Sequence, residues 1–434
     1  MIKLFGKKRK KTTKKKSKKK IGRNIIRVVL LKVRNALLVL TFILLPIFLI
    51  YYSYTIFSIE FSQLGRGLPS PEWDLDSRLS LVFIGGDEQE NGYVFIDFLA
   101  LVQIDPVNRE VVIFNINPLF TIDYWSDDKF VTIKNSLAIY KNNDENKGLE
   151  ELIFGVQALT ANKIDGYVFV TKEGFGEVFS SLGSIKLEAP SEVADSDLPA
   201  DFIIQEGENK VKGYDLIYYL SADENGENDK MKRQVLALKS FLQEFDWFRF
   251  LFKIKANCSK IEENVKTNLS LSEMLKLFYI LNFQKEIDYK IGYSQSYPGY
   301  KVYTSAGEIW RPVYEDIDQD LQKIFTRNNV KLEQARVDIL NSTDTAGLAK
   351  TRARWLNNRG IRVVLTGNYN EKEVPHTLIY VKQPEEYTNT LSEIASTFYG
   401  DVRILKRKYP GRSFGEIVII LGENELVKFE DDTV

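Results

Sequence analysis

The stretch Leu79–Asp87, LSLVFIGGD, decides the fold of the larger part of this 434-residue chain. The run Leu79–Ile84 predicts a buried β-strand, and the two glycines after it predict a tight turn. Two more apolar runs follow, Phe98–Ile104 and Glu110–Ile116, joined by the turn sequence Asp105-Pro106-Val107-Asn108. These three predicted strands indicate the start of a sheet.

Helical and strand-like patterns alternate downstream, which is typical of an α/β domain whose central sheet is covered by helices. We predict that this domain occupies residues 79–327. Its further predicted helices are Leu149–Leu159, Gly174–Leu182, Met231–Phe245 and Leu271–Leu281, and its further predicted strands are Gly166–Thr171, Ile185–Ala189 and the Tyr-rich Tyr214–Leu220.

A second, smaller α/β domain is predicted for residues 334–424, with a βαββαβ-like order of elements. Its predicted segments are the strand Val337–Leu340, the helix Thr345–Arg359, the strands Ile361–Leu365 and His376–Val381, the helix Glu385–Phe398 and the strand Ile417–Leu421. The fold class expected for the whole chain is therefore α/β.

The segment Ala36–Ser58, ALLVLTFILLPIFLIYYSYTIFS, contains no charged residue. A bilayer core requires about 20 apolar helical residues, so this segment predicts a transmembrane helix. Residues 1–35 contain 16 Lys and Arg and no acidic residue, which places the N-terminus in the cytoplasm and everything beyond residue 58 outside, after a linker at 59–78. A cleaved signal peptide is the alternative, but the apolar run is too long and no small-residue cleavage site follows it.

The balance of 59 basic and 59 acidic residues hides an uneven distribution of charge. Without the 16 basic residues of the tail, 43 basic residues face 59 acidic ones, so the expected external part carries a net charge of −16. This charge argues against nucleic acid as a partner. The basic tail, KKRKKTTKKKSKKK at residues 7–20, is expected to bind anionic lipid beside the lipid bilayer that the span crosses.

Cysteine and histidine usage limits the chemistry further. The chain has one Cys, Cys258, and one His, His376. An intramolecular disulfide and a conventional His/Cys zinc site are therefore excluded, and oxygen ligands remain the realistic metal chemistry.

Several motifs, taken in order, resemble the LytR-CpsA-Psr family of bacterial envelope proteins. The resemblance runs from about residue 78 to 424 and includes a small C-terminal domain that is often attached to the family. The matching segments are Phe83–Asp87, Gly155-Val156-Gln157 with Asp165–Val170, Gly174-Phe175 with Leu182–Ile185, Met231–Leu236 and Val337–Thr343 with Gly347-Leu348-Ala349.

The resemblance implies transfer of phosphate-linked glycopolymers from a polyprenyl pyrophosphate carrier onto peptidoglycan, with a metal ion, typically magnesium, on the pyrophosphate. Asp87 matches the family's first acidic position, and Asp97, nine residues before Pro106, matches the second, so these two are the candidate magnesium ligands. Lys230, where the family has Arg, and Arg233, which is retained, are the candidate phosphate-binding residues. The ordinary alternatives are strand-end turns for the aspartates and a solvated helix face for the two basic residues.

The sequence departs from the family at most of the Arg positions. Phe95-Ile96-Asp97-Phe98 replaces Arg-Ser-Asp-Thr, Ile116–Thr121 lacks the Arg and Asp of Ile-Pro-Arg-Asp-Thr, and Ser221-Ala222-Asp223 replaces Arg-x-Arg. Removal of one charge-stabilising donor typically costs on the order of 10² to 10³ in rate. We expect Phe95, Ile96 and Phe98 to make the mouth of a polyprenyl-binding cleft more apolar than in active relatives.

The favoured hypothesis is a membrane-anchored pseudoenzyme or scaffold that binds lipid-linked or wall glycopolymer without transferring it. The alternative is an active phosphotransferase that has rebuilt its set of cations from Lys230, Arg233 and groups elsewhere. A membrane-bound transcription factor ranks last, because the basic tail has no helix-turn-helix pattern.

Overall fold

The computed structural model describes residues 62–63, 69–89, 93–122, 131–140, 145–182, 184–194, 202–222, 226–244, 262–284, 286–294, 299–304, 307–371 and 374–426. These residues all belong to one compact unit, Glu60–Val434. Within these ranges no helix is both long enough and apolar enough to cross a bilayer. The predicted span at 36–58 and the basic tail lie outside the described residues.

The larger domain contains twelve described strands and eight described α-helices. The strands are β1 Leu79–Glu88, β2 Val94–Asp105, β3 Glu110–Asn115, β4 Thr121–Ile122, β5 Val131–Thr132, β6 Gly166–Thr171, β7 Ser184–Ala189, β8 Gly207–Lys212, β9 Val265–Thr267, β10 Asp288–Tyr293, β11 Gly299–Thr304 and β12 Gly307–Pro312. The helices are α1 Ser136–Tyr140, α2 Glu145–Thr160, α3 Lys172–Leu182, α4 Gly213–Ser221, α5 Glu227–Glu244, α6 Leu271–Phe283, α7 Tyr314–Phe325 and α8 Asn328–Glu333.

Six strands form the central sheet in the spatial order β10-β3-β2-β1-β6-β9. β1 lies between β2, to which it is antiparallel, and β6, to which it is parallel. One apolar cluster covers each face, as expected for a sheet buried on both sides. On the first face, α2 and α7 pack through residues such as Val156 and Leu321; on the second, α5 and α6 pack through residues such as Val235 and Ile280.

Most predicted elements of this domain are confirmed, with shifted ends. β6 has the predicted bounds, and α6 begins after Ser270, whose hydroxyl accepts the amide hydrogen of Glu273 as an N-cap. The predicted turn at Gly85-Gly86 is wrong, because β1 continues through both glycines to Glu88. The prediction of a strand at Tyr214–Leu220 is also wrong: this segment lies in α4, which buries Leu216 and Tyr219 at helical spacing.

The strand predicted at Ile185–Ala189 exists as β7, but it is not part of the central sheet. β7 pairs only with β8 in a two-stranded sheet among the described strands. This small sheet packs with α4 and α5 around its own apolar cluster, which includes Leu187 and Val211.

The smaller domain is a five-stranded sheet in the order β14-β13-β17-β15-β16. Its elements are β13 Arg336–Asn341, α9 Leu348–Asn357, β14 Arg362–Asn368, β15 Thr377–Val381, α10 Thr388–Thr397, β16 Val402–Leu405 and β17 Ile417–Leu421. α9 and α10 cover one face of the sheet. The edge strand β16 was not predicted, since its charged, four-residue sequence VRIL gives little periodic signal.

The two domains contact each other through the C-terminal end of α2. Arg354 of α9 donates hydrogen bonds to the carbonyl oxygens of Ala158 and, at 3.0 Å, of Leu159. The hydroxyl of Tyr399 accepts from the amide of Ile164 at 2.8 Å. Helix ends leave carbonyl groups without intrahelical partners, so the smaller domain satisfies part of the C-terminus of α2.

Candidate functional site

Asp97 lies at an irregularity in the pairing of the first two strands. Gly85 of β1 pairs with Phe98, but the next residue, Gly86, pairs with Ile96, so Asp97 is an extra residue on β2. Such a β-bulge redirects the side chain of the extra residue and is common next to functional sites. A glycine is required opposite it, because a Cβ atom at Gly86 would lie 2.8 Å from the Phe169 ring and 3.2 Å from the carbonyl oxygen of Phe95.

Two lysines meet the Asp97 carboxylate. The Lys172 ammonium lies 2.5 Å from Oδ2, and the Lys134 ammonium lies 3.8 Å from Oδ1. Lys172 opens α3 directly after β6, and Lys134 lies in the short 3₁₀ helix Ile133–Asn135 directly after β5. All three side chains are partly exposed, at 23% for Asp97, 37% for Lys172 and 44% for Lys134, so the cluster is accessible from solvent.

Sequence reasoning missed both lysines as site residues. Each is a single Lys outside the family motifs, and its distance from Asp97 depends on tertiary packing. The available signal was positional: Lys172 directly follows a strand that is parallel to β1, and functional side chains collect at the carboxyl ends of such strands.

Asp87 lies near the end of β1, opposite Phe95. Its Oδ2 accepts a hydrogen bond from the Gln89 side chain at 3.2 Å. Neither of the two lysines that bind Asp97 forms an ion pair with Asp87.

As arranged, the Asp97 carboxylate is paired with ammonium groups and is not open to a magnesium ion. Mg²⁺ requires nearly octahedral oxygen coordination. Both carboxylate oxygens of Asp97 face an ammonium group, which competes with a metal ion for the same lone pairs. Among the described residues, no group of three or more His, Cys, Asp or Glu side chains is arranged to hold a metal.

Arg233 is buried and bonded within its own domain. Its side chain is 1% exposed. The guanidinium donates to the Tyr219 carbonyl oxygen at 3.2 Å, to the Ala222 carbonyl oxygen and to the Asp229 carboxylate. Each of its three nitrogen atoms has a protein acceptor, so Arg233 holds the C-terminal end of α4 against α5.

Lys230 lies one turn before Arg233 on α5 and is half-buried. Its ammonium forms no ion pair with any residue that the structure describes. The two predicted phosphate-binding residues therefore differ: Arg233 is internal, whereas Lys230 is half-buried and has no ion pair within the described ranges.

The predicted cleft residues are divided between the two faces of the sheet. Ile96 is fully buried in the apolar cluster beside α2 and α7, whereas Phe98 packs against the cluster beside α5 and α6. Phe95 is half-buried. The bulge explains the division, because the extra residue between Ile96 and Phe98 changes the alternation of side chains along β2.

Comparison with known proteins finds a curated relative of this chain. The polyisoprenyl-teichoic acid–peptidoglycan teichoic acid transferase TagV of Bacillus subtilis is 26% identical over 200 residues, which are 44% of this chain and 50% of TagV. The chain therefore spans about half the length of this curated relative.

Solved structures also align with the chain. The crystal structure of B. subtilis TagV is 22% identical, with a TM-score of 0.44, and the alignment covers 57% of this chain and 96% of that one. The family protein YwtF (TagT) with bound octaprenyl pyrophosphate lipid is 15% identical, with a TM-score of 0.44, covering 60% of this chain and 97% of that one.

Family models match most of the described structure. A model described as LytR cell envelope-related transcriptional attenuator matches residues 334–424. The LytR_cpsA_psr family model matches residues 60–317, more than half of the chain. The resemblance of the motifs is thereby confirmed, and the chain belongs to the LytR_cpsA_psr family.

Proposed function

We propose that this protein binds a lipid-linked or wall glycopolymer at the bacterial cell surface without transferring it. In this proposal, the apolar segment at 36–58 crosses the cell membrane once, the basic tail binds anionic lipid in the cytoplasm, and both folded domains lie outside. The TagV relative, named as a transferase of teichoic acid to peptidoglycan, supports glycopolymer as the ligand class.

The buried state of Arg233 carries the proposal. It is the one Arg retained at the motif positions for phosphate, and its three nitrogen atoms bind Asp229 and the carbonyl oxygens of Tyr219 and Ala222. Phosphoryl transfer depends on cations that neutralise developing charge on phosphate oxygens. An Arg whose three nitrogen atoms each bind a protein acceptor cannot turn toward a phosphate without breaking the contacts that hold α4 against α5.

The full chain, purified in detergent, tests the proposal with a polyprenyl pyrophosphate as ligand. We expect binding without release of phosphate, at any magnesium concentration, while TagV measured in parallel serves as the positive control for chemistry. Magnesium-dependent hydrolysis at a rate close to that of TagV would overturn the proposal.

A second candidate, an active phosphotransferase, is favoured by one observation. Lys172 and Lys134 bring two positive charges to Asp97 from segments outside the family's Arg motifs. A Lys can neutralise phosphate, although it lacks the bidentate geometry of Arg. In this candidate the two ammonium groups would replace the missing Arg residues, and any magnesium chemistry would require Asp97 to release Lys172.

A further inference from the structure

One segment of the smaller domain differs in charge from the larger domain. Residues 60–333 contain 29 Lys and Arg against 45 Asp and Glu, whereas residues 334–424 contain 13 against 10. The excess in the smaller domain lies in the stretch Arg403–Arg412, RILKRKYPGR, which we call the basic segment. It holds five basic residues and no acidic one: Arg403, Lys406, Arg407, Lys408 and Arg412.

The basic segment begins in the edge strand β16 and then lies over the sheet face that α9 and α10 leave uncovered. The Tyr409 ring packs edge-on against the Tyr380 ring of β15, with centroids 5.4 Å apart. The Arg407 guanidinium lies 5.4 Å from the centroid of the same Tyr380 ring. Tyr380 is buried in the apolar cluster of this face, so it fixes both the segment and the position of Arg407.

Most of the charge in the basic segment is not neutralised. Arg403 pairs with Asp401 at 3.3 Å. Lys406, Arg407, Lys408 and Arg412 are exposed and form no ion pair with any described side chain. Glu371 is a second acid near this face, where its charge adds to the effect of burial in raising the pKa of Tyr409. The segment therefore presents four exposed positive charges beside an ordered tyrosine pair.

We propose that the basic segment binds the phosphodiester backbone of an anionic glycopolymer, separately from any lipid carrier. This inference rests on the proposed function for the class of polymer, and its own support is the charge. The excess of acidic residues in the larger domain repels a polyanion, so binding requires a local set of cations. Charges at residues 406, 407, 408 and 412 suit a ligand with repeated phosphates, and exposed Arg and Lys gain affinity by releasing its counterions.

An anionic bilayer is the competing ligand for such a segment. Segments that bind membranes commonly insert an apolar side chain next to their cations. Tyr409 packs inward on Tyr380, but Ile404 of the segment is 40% exposed, and Phe414, two residues beyond the segment, is 62% exposed. Side-chain burial therefore does not distinguish the two ligands; the choice of a polymer rests on the four exposed cations, and the vesicle comparison below tests the bilayer.

Hydrogen exchange of the full chain in detergent tests this inference, because it reads the basic segment without interference from the basic N-terminal tail. Purified B. subtilis wall teichoic acid, free of lipid, is the probe. We expect slower exchange in peptides that cover residues 403–412, with a midpoint that rises about tenfold in K406Q/K408Q. The matched control K331Q/K350Q removes two exposed lysines elsewhere, and we expect a shift of less than about twofold.

Three results would overturn the inference: unchanged exchange at 403–412, equal shifts in both variants, or protection by vesicles containing phosphatidylglycerol but not by the polymer. The probe carries no polyprenyl group. Failure of the protein to bind polyprenyl pyrophosphate would therefore contradict the proposed function, whereas the hydrogen-exchange result tests the basic segment independently.

Discussion

Arg78 and Glu393 form a buried, bidentate ion pair between the two domains. Nη1 of Arg78 lies 2.5 Å from Oε1 of Glu393, and Nη2 contacts the other carboxylate oxygen. Glu393 also lies 3.1 Å from the Nε atoms of both Arg327 and Arg359, while Arg78 and Arg327 share Asp105. The Glu393 carboxylate therefore contacts three guanidinium groups at the domain interface, two of which also pair with Asp105.

Removal of the central charge should destabilise the protein. In E393Q the three guanidinium groups lose their shared negative charge, and loss of one charged partner from a buried network costs about 3–5 kcal/mol. We expect this decrease in the free energy of unfolding for the full chain in detergent, measured by denaturant titration at pH 7. E385Q, at an exposed Glu, is the control and should remain unchanged. Equal stability of the two variants would contradict the importance of the cluster.

The same cluster predicts a loss of stability in acid. Burial alone would raise the pKa of Glu393, but the hydrogen bond and charge of Arg78, together with the charges of Arg359 and Arg327, lower this pKa below its ordinary value. A lowered carboxylate pKa stabilises the fold at pH values above the unfolded-state pKa, and this stabilisation disappears as the pH falls through the folded-state pKa. The difference in unfolding free energy between wild type and E393Q should therefore shrink below pH 4.5, which titrations at several pH values would measure. A constant difference would show that Glu393 is not charged in the fold.

Glu425 offers a contrasting buried carboxylate. It pairs with Arg352 at 2.9 Å, yet burial outweighs the charge of Arg352 and raises the pKa of Glu425. A raised pKa means that the ionised form costs stability once the pH exceeds the unfolded-state value, so the neutral E425Q should change stability by only about 1 kcal/mol at pH 7. In E425Q, Arg352 retains two other contacts: its hydrogen bond to the backbone carbonyl oxygen of residue 425, at 2.8 Å, and its position 3.7 Å from the centroid of the Trp355 ring. A loss as large as that of E393Q would show that the Arg352 pair outweighs burial.

The sequence predicted the fold of both domains more fully than the candidate site. Local periodicity was sufficient for β6 and α6, because their apolar residues repeat at the spacing of a strand and a helix. It failed at Gly85-Gly86, where the turn propensity of glycine was overridden by pairing with β2 across the bulge at Asp97.

The site depends on contacts between distant segments, and these left little trace in the sequence. Lys172 and Asp97 are 75 positions apart, and neither has a pattern that points to the other. Arg233 was recognised by its motif, but its burial arises from the unpredicted helix α4, whose last carbonyl groups it binds. The motif thus identified the position of Arg233 in the family, but its contacts in this fold could not be predicted from the motif.

Arg233 should behave as a structural residue. In R233K a single ammonium group replaces the guanidinium and cannot reach Asp229, Tyr219 and Ala222 together. We therefore expect a decrease of about 2–4 kcal/mol in the free energy of unfolding. K230Q, on the same helix one turn earlier, should change stability by less than about 0.5 kcal/mol. Thermal unfolding of the two full-length variants makes the comparison. If R233K instead loses affinity for the ligand while its stability is unchanged, Arg233 is a binding residue.

Replacement of Asp97 separates the two candidate functions. Asp97 neutralises Lys172 and Lys134, so D97N should free two ammonium groups and raise the affinity for polyprenyl pyrophosphate severalfold, in the range of about 3- to 10-fold, when metal is chelated. K172Q should lower the affinity, while D87N, which leaves both lysines paired, should have little effect. Calorimetry of the full chain in detergent measures all three variants. The opposite outcome is that the wild-type protein releases phosphate in a magnesium-dependent reaction and D97N does not. Asp97 then acts in transfer, and the protein is an active phosphotransferase that uses lysines in place of arginines.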